Sequence, residues 1–433
     1  MRWPVAIRLD ARDADFSTAF AALLNSKRES APDVDASVAV IIADVRARGD
    51  QALAEYTERF DRLTLRPDRF RLSDEEIAEH AAHASSESVA ALKEAEKRIR
   101  SFHQKQRPED VRYVDDAGVE LGTRWSPVSA AGLYVPGGLA AYPSSLLMNA
   151  IPALVAGVPR LAMTAPTPDG VINPLVMAAV QILGISEVYC LGGAQAIAAL
   201  AFGTETVTPV DVIVGPGNAY VAAAKRQVFG TVGIDMIAGP SEILIVADGA
   251  NDPSWIAADL LSQAEHDSAA QSILMTDDSN FADQVSAAVE QQLDQLSRGK
   301  IAGESWAQHG AIILLPSLED APALVDRLAP EHLELAVADP EALFDRIHHA
   351  GAVFLGRYTP EAVGDYVAGP NHVLPTARTA RFASALSVLN FMKRTSVVRC
   401  DPSSLARVGP VAATLADAEG LTAHAHSVRL RLR

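Results

Sequence analysis

The stretch EVYCLGGAQAIAALAFGTETVTPVDVIVGPG, Glu187 to Gly217, holds two short apolar runs separated by a helical pattern, and each run ends in a glycine turn. EVYCLGG and VDVIVGPG predict strands, and AQAIAALAFG between them predicts a helix. Strands that are apolar along their whole length are covered on both faces, which is the condition of a parallel sheet with crossover helices. The same texture begins near residue 134. It runs through RLAMTAP and NPLVMAAVQILG before this unit, and through NAYVAAAKRQVF and EILIVAD after it.

A second region of the same kind extends from about 270 to 356, carried by AAQSILMT, GAIILLP, LELAV and GAVFLG. Two sheets are therefore expected rather than one, which suits a chain of 433 residues, too long for a single ordinary core. The first 130 residues read as mainly helical. Ser73-Asp74-Glu75-Glu76 has the form of a capping box, and Val89, Leu92, Ile99 and Phe102 continue at helical spacing.

Composition narrows the class. Apolar residues make up 49% and charged residues 21%, with no apolar run near the roughly 20 residues of a membrane span. The opening MRWPVAIRLDARDADF lacks an apolar core followed by a small-residue cleavage site, so no export and a cytoplasmic location are expected. With 37 basic against 54 acidic side chains, the net charge of −17 repels a phosphate backbone, and no nucleic-acid partner is expected. Cys190 and Cys400 are the only cysteines, so any metal must be held by His, carboxylate or amide.

Two strand-to-helix turns, Gly192-Gly193-Ala194-Gln195 and Gly215-Pro216-Gly217-Asn218, let backbone N–H groups approach an anion at a helix start. The Pro-Gly-Gly bend in GLYVPGGLAAYPSS, Gly132 to Ser145, is a third such loop, with Tyr134 leading into it. None spells G-x-G-x-x-G, so a dinucleotide here would bind outside the usual Rossmann mode. The alternative is that α/β proteins need tight turns whether or not they bind anything.

Asp252-Pro253 opens a helix on which Gln263 and His266 lie three apart and share a face, two possible legs of a metal site. Asp259, Glu265 and Asp267 are equally available, and a solvated helix end explains the pattern as well. Thr359-Pro360 opens a short helix, with Asp365 just before an irregular Gly- and Pro-rich segment. Near the end, DAEGLTAHAHSV supplies Glu419, His424 and His426. In PEHLELAV, Leu333, Leu335 and Val337 alternate with His332, Glu334 and Ala336, placing Glu331 and His332 at a strand mouth and Glu334 as a solvated residue. A histidine titrating near neutrality beside a glutamate can serve two proton transfers, or can simply mark the wet end of a strand.

Taken together, GLYVPGG, YPSSLLMNAIPALVAGV, GGAQAIAALAFGT, VGPGNAYVAAAKRQV, IDMIAGPSEILIVAD, DLLSQAEHD, APEHLEL, YTPEAVGDYVAGPNHVLPT, ARFASALSVLNFMKRTS and AEGLTAHAHSV resemble the histidinol dehydrogenase family, in its order, over residues 40 to 430. The resemblance implies an α/β fold of the aldehyde dehydrogenase-like class. It would have two Rossmann-like parallel-sheet domains with incomplete dinucleotide-binding topology, plus small N-terminal and C-terminal helical segments. The implied division is 1–26 as N-terminal segment, 27–133 with 241–386 as the domain carrying most of the site, 134–240 as the NAD-binding domain, and 387–433 reaching a partner subunit.

The implied activity is oxidation of L-histidinol to L-histidine through the aldehyde with two NAD+, the last step of histidine biosynthesis, in a homodimer with shared sites and one Zn2+ per subunit. By motif, the zinc ligands would be Gln263, His266, Asp365 and His424, with Glu419 and His424 reaching in from the partner. Ser241, Glu419, Glu331 and His332 would join the four ligands in touching substrate, and Tyr134, Gln195 and Asn218 would touch NAD. His332 would be the base for hydride transfer and Glu331 the activator of water, with no cysteine nucleophile.

Two places depart from the pattern: Ala130-Ala131, where many relatives carry a larger or basic residue, and Pro370, where threonine is common. Both touch loops that bear on cofactor affinity. The nearest rival is a zinc and NAD dehydrogenase of the same superfamily acting on another alcohol, such as a sulfonated propanediol. More distant are a zinc hydrolase and a non-catalytic metal binder, and the second leaves the Glu331-His332 pair and the glycine turns without a purpose.

Overall fold

Runs of Val, Ile and Leu form two parallel sheets in the computed structural model, which describes residues 6–25, 32–137, 142–237 and 239–433. Residues 138–141 of the expected Pro-Gly-Gly loop lie outside the described residues, as do residues 1–5 and the 26/27 domain boundary. The six-stranded sheet runs Ile7–Asp10, Ala311–Leu314, Gln271–Thr276, Glu242–Ala247, His332–Ala336, Ala352–Leu355. The five-stranded sheet runs Glu187–Tyr189, Arg160–Thr164, Ala130–Tyr134, Val212–Val214, Gly233–Ile234. Every pairing in both is parallel. Each of the eight strands expected from the apolar runs is present.

Side-chain alternation divides each sheet's cover into two cores. Ala131, Leu133, Val212 and Val214 face one helical layer, and Ala130, Tyr134 and Ile213 face the other. In the six-stranded sheet Ile243 and Ile245 face one way, while Leu244, Val246, Leu333 and Leu335 face the other. In chain order the five-stranded sheet reads 3-2-1-4-5, and the six-stranded sheet repeats that order with Ile7–Asp10 added at its edge. Strand order in each therefore reverses between two neighbours: Ala130–Tyr134 and Val212–Val214 in one, Glu242–Ala247 and His332–Ala336 in the other. Ligands of doubly wound sheets gather at such a reversal.

The helices between residues 32 and 104 pack on the five-stranded layer, and the last of them also reaches Val367 through Arg98. Val38, Ile41 and Val45 pack with Ala196, Ala199 and Val221, and Leu72, Ile77, Leu92 and Ile99 pack with Leu146, Leu147 and Ile151. An amphipathic stripe states that a helix is covered, not by which sheet. The terminal segments carry strands as well as helices. Ile7–Asp10 pairs in parallel with Ala311–Leu314, and Met392–Arg399 pairs antiparallel with Glu120–Pro127 in a three-stranded sheet completed by Val111–Val114.

Candidate active site

Glu331 and His332 sit where the His332–Ala336 strand begins, so they lie at the amino end of the sheet rather than the carboxyl end usual for α/β sites. The preceding helix, Ala321–Leu328, stops at Ala329 with φ +45°, and Pro330 then turns the chain into the strand. Both side chains are held by the neighbouring strand. Glu331 Oε2 accepts from Glu242 N at 2.8 Å, and His332 Nδ1 lies 3.0 Å from Glu242 O.

The other groups arrive from the segment after Ala352–Leu355. Glu361 opens a short helix that passes into a π-helical turn, Gly364–Ala368, carrying Asp365. π-turns recur at functional sites because they redirect side chains within a helix. Gly364 is required there, since a Cβ would come within 2.3 Å of the Phe354 ring, which itself packs 6.0 Å from the His332 ring. His332 Nε2 lies 3.4 Å from Asp365 Oδ1, and Nδ1 lies 3.5 Å from Glu361 Oε1 and 3.7 Å from Glu331 Oε2.

Low dielectric and crowded charge set the titration of this group. Burial pushes Glu331 up to about 8 and Glu361 up to about 7, against the pull of His332. Burial disfavours a charged His332, but Glu361, Glu331 and Asp365 outweigh it and raise the imidazole well above its ordinary value. Burial also opposes ionisation of Asp365, yet its bond to His332 and the nearby imidazoles hold it below the usual range.

Asp252 caps the Pro253–Ala264 helix as expected, and Gln263 lies in its last turn. Gln263 is 0% exposed, and among the described residues neither its Oε1 nor its Nε2 has a hydrogen-bond partner. Leaving both ends of a buried amide unmet is costly, so the side chain is shaped for something that would bind there. His266 follows just past the helix end, with N bonded to Gln263 O at 3.2 Å, and is close enough for the charges of Asp365 and His332 to act on it. Glu331, His332, Asp365, Gln263 and His266 thus come from one region of the fold. Ser241, half-buried, directly precedes Glu242.

Glu419 and His424 stand exposed on the helical pair Pro402–Ala418 and Thr422–Leu430, and among the described residues no hydrogen bond or ion pair ties either to this group. Cys190 is buried, its thiol pushed up to about 11 mainly by that burial, so it packs as a small apolar side chain rather than a thiolate.

Glu334 is not the solvated residue its alternation with leucine implied. It is 3% exposed, on the same face as His332 and near Asp259 and Glu361, and burial with those two charges raises it well above the ordinary carboxyl range. Both faces of this strand are covered, so a polar residue at an outward position is buried too. Because the folded state holds a proton that the unfolded state releases above about pH 4.3, Glu334 costs stability as pH rises. Glu334→Gln is expected to narrow the fall in Tm between pH 6 and 8.5 by about 2 °C, measured by calorimetry.

Sequence reasoning also missed Glu361 and His372. Among the described residues, His332, Glu361 and Asp365 form the group whose donor atoms all lie within 4.8 Å of one another. Glu361 stands four residues before Asp365, a helical spacing that could have found it. His372 Nδ1 lies 3.0 Å from Asp365 O and its Nε2 3.5 Å from Ser145 Oγ, while Asn371 Nδ2 donates to Met148 O at 2.6 Å. These bonds tie the site to the Pro143–Ala156 helix of the five-stranded layer.

On that layer the three residues expected to meet NAD gather at the carboxyl ends of strands. Tyr134 ends its strand, its OH accepting from Gly193 N at 3.1 Å, and burial pushes it up to about 12. Gln195 is buried on the Gly193–Phe202 helix with Oε1 unpartnered. Asn218 is exposed, and its Oδ1 caps the Ala219–Val228 helix by accepting from Tyr220 N and Val221 N, each at 3.1 Å.

A buried acid–base group at the strand reversal of one sheet, bonded across to a second doubly wound sheet with glycine turns, defines a two-sheet α/β enzyme. The family model of histidinol dehydrogenase matches residues 24–432. A histidinol dehydrogenase of Rhodospirillum rubrum is 65% identical over 98% of both chains, and one of Ruegeria pomeroyi 64% identical over 98% of both. The crystal structure of histidinol dehydrogenase from Elizabethkingia anophelis, 37% identical, superposes with a TM-score of 0.95 over 100% of this chain and 99% of that one. The chain belongs to the histidinol dehydrogenase family, a family of oxidoreductases.

Proposed function

We propose that this enzyme oxidises L-histidinol to L-histidine through L-histidinaldehyde, using two NAD+ and one zinc ion per subunit. The observation that carries the reading is the buried Glu331–His332–Asp365 arrangement beside an unpartnered Gln263, in a chain 65% identical to a histidinol dehydrogenase throughout. The donor set suits zinc: a carboxylate, an imidazole and an amide oxygen with no partner among the described residues. Gln263, His266 and Asp365 would hold it, with His424 of a second copy as the fourth ligand. When bound, zinc would supply a positive charge that orients the substrate's nitrogen donors and offsets the negative charge of Asp365. Tyr134, Gln195 and Asn218 would hold NAD+, which would supply the hydride acceptor of each oxidation.

His332 takes the hydroxyl proton as hydride leaves the carbinol carbon, giving the aldehyde. Glu331 takes a proton from water as its oxygen adds to the aldehyde carbon, while His332 returns its proton to the carbonyl oxygen, giving the hydrate and freeing the imidazole. His332 then takes a hydrate hydroxyl proton as the second hydride leaves. Ser241 and Glu419 would orient the substrate, Glu419 from the partner of a homodimer. No described helix is long and apolar enough to cross a membrane, and we place the reaction in the cytoplasm.

Purified protein supplied with zinc, NAD+ and L-histidinol is expected to form two NADH per histidine, followed by absorbance. Turnover of a different alcohol with none of histidinol would overturn the substrate, and no NADH from any alcohol would overturn the class.

Glu331→Gln is expected to leave the first oxidation within about threefold and to slow conversion of histidinaldehyde to histidine by about 10². Only the ionised carboxylate accepts a proton from water, and burial places Glu331 at about 8. The native aldehyde step should therefore rise between pH 7 and 9, and the variant's profile should be flat. An aldehyde rate unchanged by the substitution would remove Glu331 from this step.

A further inference from the structure

Lys225 and Asp235 form an ion pair in the five-stranded layer with side chains 3% and 0% exposed, and no step above uses either. Two opposite charges survive such burial only when further hydrogen bonds complete them. Here those bonds converge on one residue. Lys225 Nζ donates to Gly215 O at 2.8 Å, and Asp235 Oδ2 accepts from Gly215 N at 2.8 Å, while its Oδ1 accepts from Met236 N at 2.6 Å.

Gly215 is the first residue past the Val212–Val214 strand, at the strand reversal of its sheet. Its φ of +118° is open to glycine, and a Cβ there would lie 2.1 Å from Tyr134 O. The turn Gly215-Pro216-Gly217-Asn218 is thus gripped at its entry by the ion pair. At its exit it is held by the helix that Asn218 caps and from which Lys225 itself projects. Packing alone has no need of the charges, since an apolar pair of similar volume fills such a space as well or better.

We propose that Lys225 and Asp235 are positioning residues for the cofactor. They fix the Gly215 N–H and C=O so that the turn carrying Asn218 is set before NAD+ arrives, which lowers the ordering cost of binding. The assignment rests on the placement of NAD+ at this turn.

The test compares native enzyme, Lys225→Met/Asp235→Leu and Asn218→Ala by NADH fluorescence titration, zinc content, KM for histidinol and Tm. The double variant removes both charges together and so leaves neither one buried alone. It is expected to keep its Tm and zinc, to hold KM for histidinol within about twofold, and to weaken NADH by at least about tenfold. Unchanged NADH affinity in the double variant, with weakening in Asn218→Ala, overturns the positioning role while leaving the cofactor placement intact. Unchanged affinity in both overturns the placement and the inference with it. A parallel loss of NADH, zinc and Tm reduces the pair to a structural one. If the double variant does not fold, Asp235→Asn, which keeps an acceptor for Gly215 N–H but releases Lys225, must weaken NADH by at least about threefold with zinc unchanged, or the inference fails.

Discussion

His332→Ala is expected to lower kcat for histidinol oxidation by about 10² to 10⁴ and to leave bound zinc in place. The imidazole is the group best placed to accept a proton here: it is buried, its Nδ1 is occupied by Glu242 O, and its Nε2 lacks a hydrogen-bond partner other than the Asp365 carboxylate it approaches at 3.4 Å. A carbonyl acceptor at Nδ1 favours the tautomer that leaves Nε2 free to receive a proton. Crowded carboxylates raise the imidazole, and a cation held at Asp365 would move it back toward a useful base.

Zinc content decides between two readings of the same geometry. His332 with Glu361 and Asp365 could itself hold an ion, in which case His332→Ala would empty the site. Loss of activity with zinc retained, partly restored by added imidazole, identifies a base. Loss of zinc along with activity would make His332 a ligand and leave the proton transfer to another group. Since His332→Ala also leaves Glu331, Glu361 and Asp365 facing one another, His332→Gln is the companion variant that keeps more of the packing.

The two-sheet layout was legible because runs such as EILIVAD and GAIILLP carry their burial in their composition: a strand covered on both faces needs no polar residue. The same physics hid Glu334. Alternation between Leu333, Leu335 and Val337 describes one covered face and says nothing of the other, which the Pro253–Ala264 helix covers with Asp259 upon it. Helix placement was opaque for a related reason, as the stripe of Val38, Ile41 and Val45 suits either sheet equally. Within the site, helical spacing offered Gln263 and His266 alongside Asp259, Glu265 and Asp267 without choosing among them, whereas His372 meets Asp365 only through an irregular segment. Glu331 and His332 were visible as a pair ahead of an apolar run, but that they share the amino edge of the sheet with Glu242 became visible only once the neighbouring strand was known to run parallel.

Gln263→Leu is expected to move two measurements in opposite directions. A buried amide with both polar atoms unmet costs the folded protein about 1 to 3 kcal/mol, and a leucine of similar size removes that cost. With zinc removed by a chelator, the variant should therefore unfold at higher denaturant than the native chain, with the slope of the transition unchanged. With zinc present the order should reverse. With Gln263 as a zinc ligand, the native protein would gain stability from an ion bound only by its folded state, whereas the variant should bind zinc about 100-fold more weakly and turn over histidinol correspondingly less at limiting metal. A structural glutamine held by an ordered water gives a different pattern: the substitution would destabilise the metal-free protein and leave zinc affinity untouched. The crossing of the two stability orders on adding zinc is thus the signature of a ligand, and denaturant titration with and without chelator reads it without relying on activity.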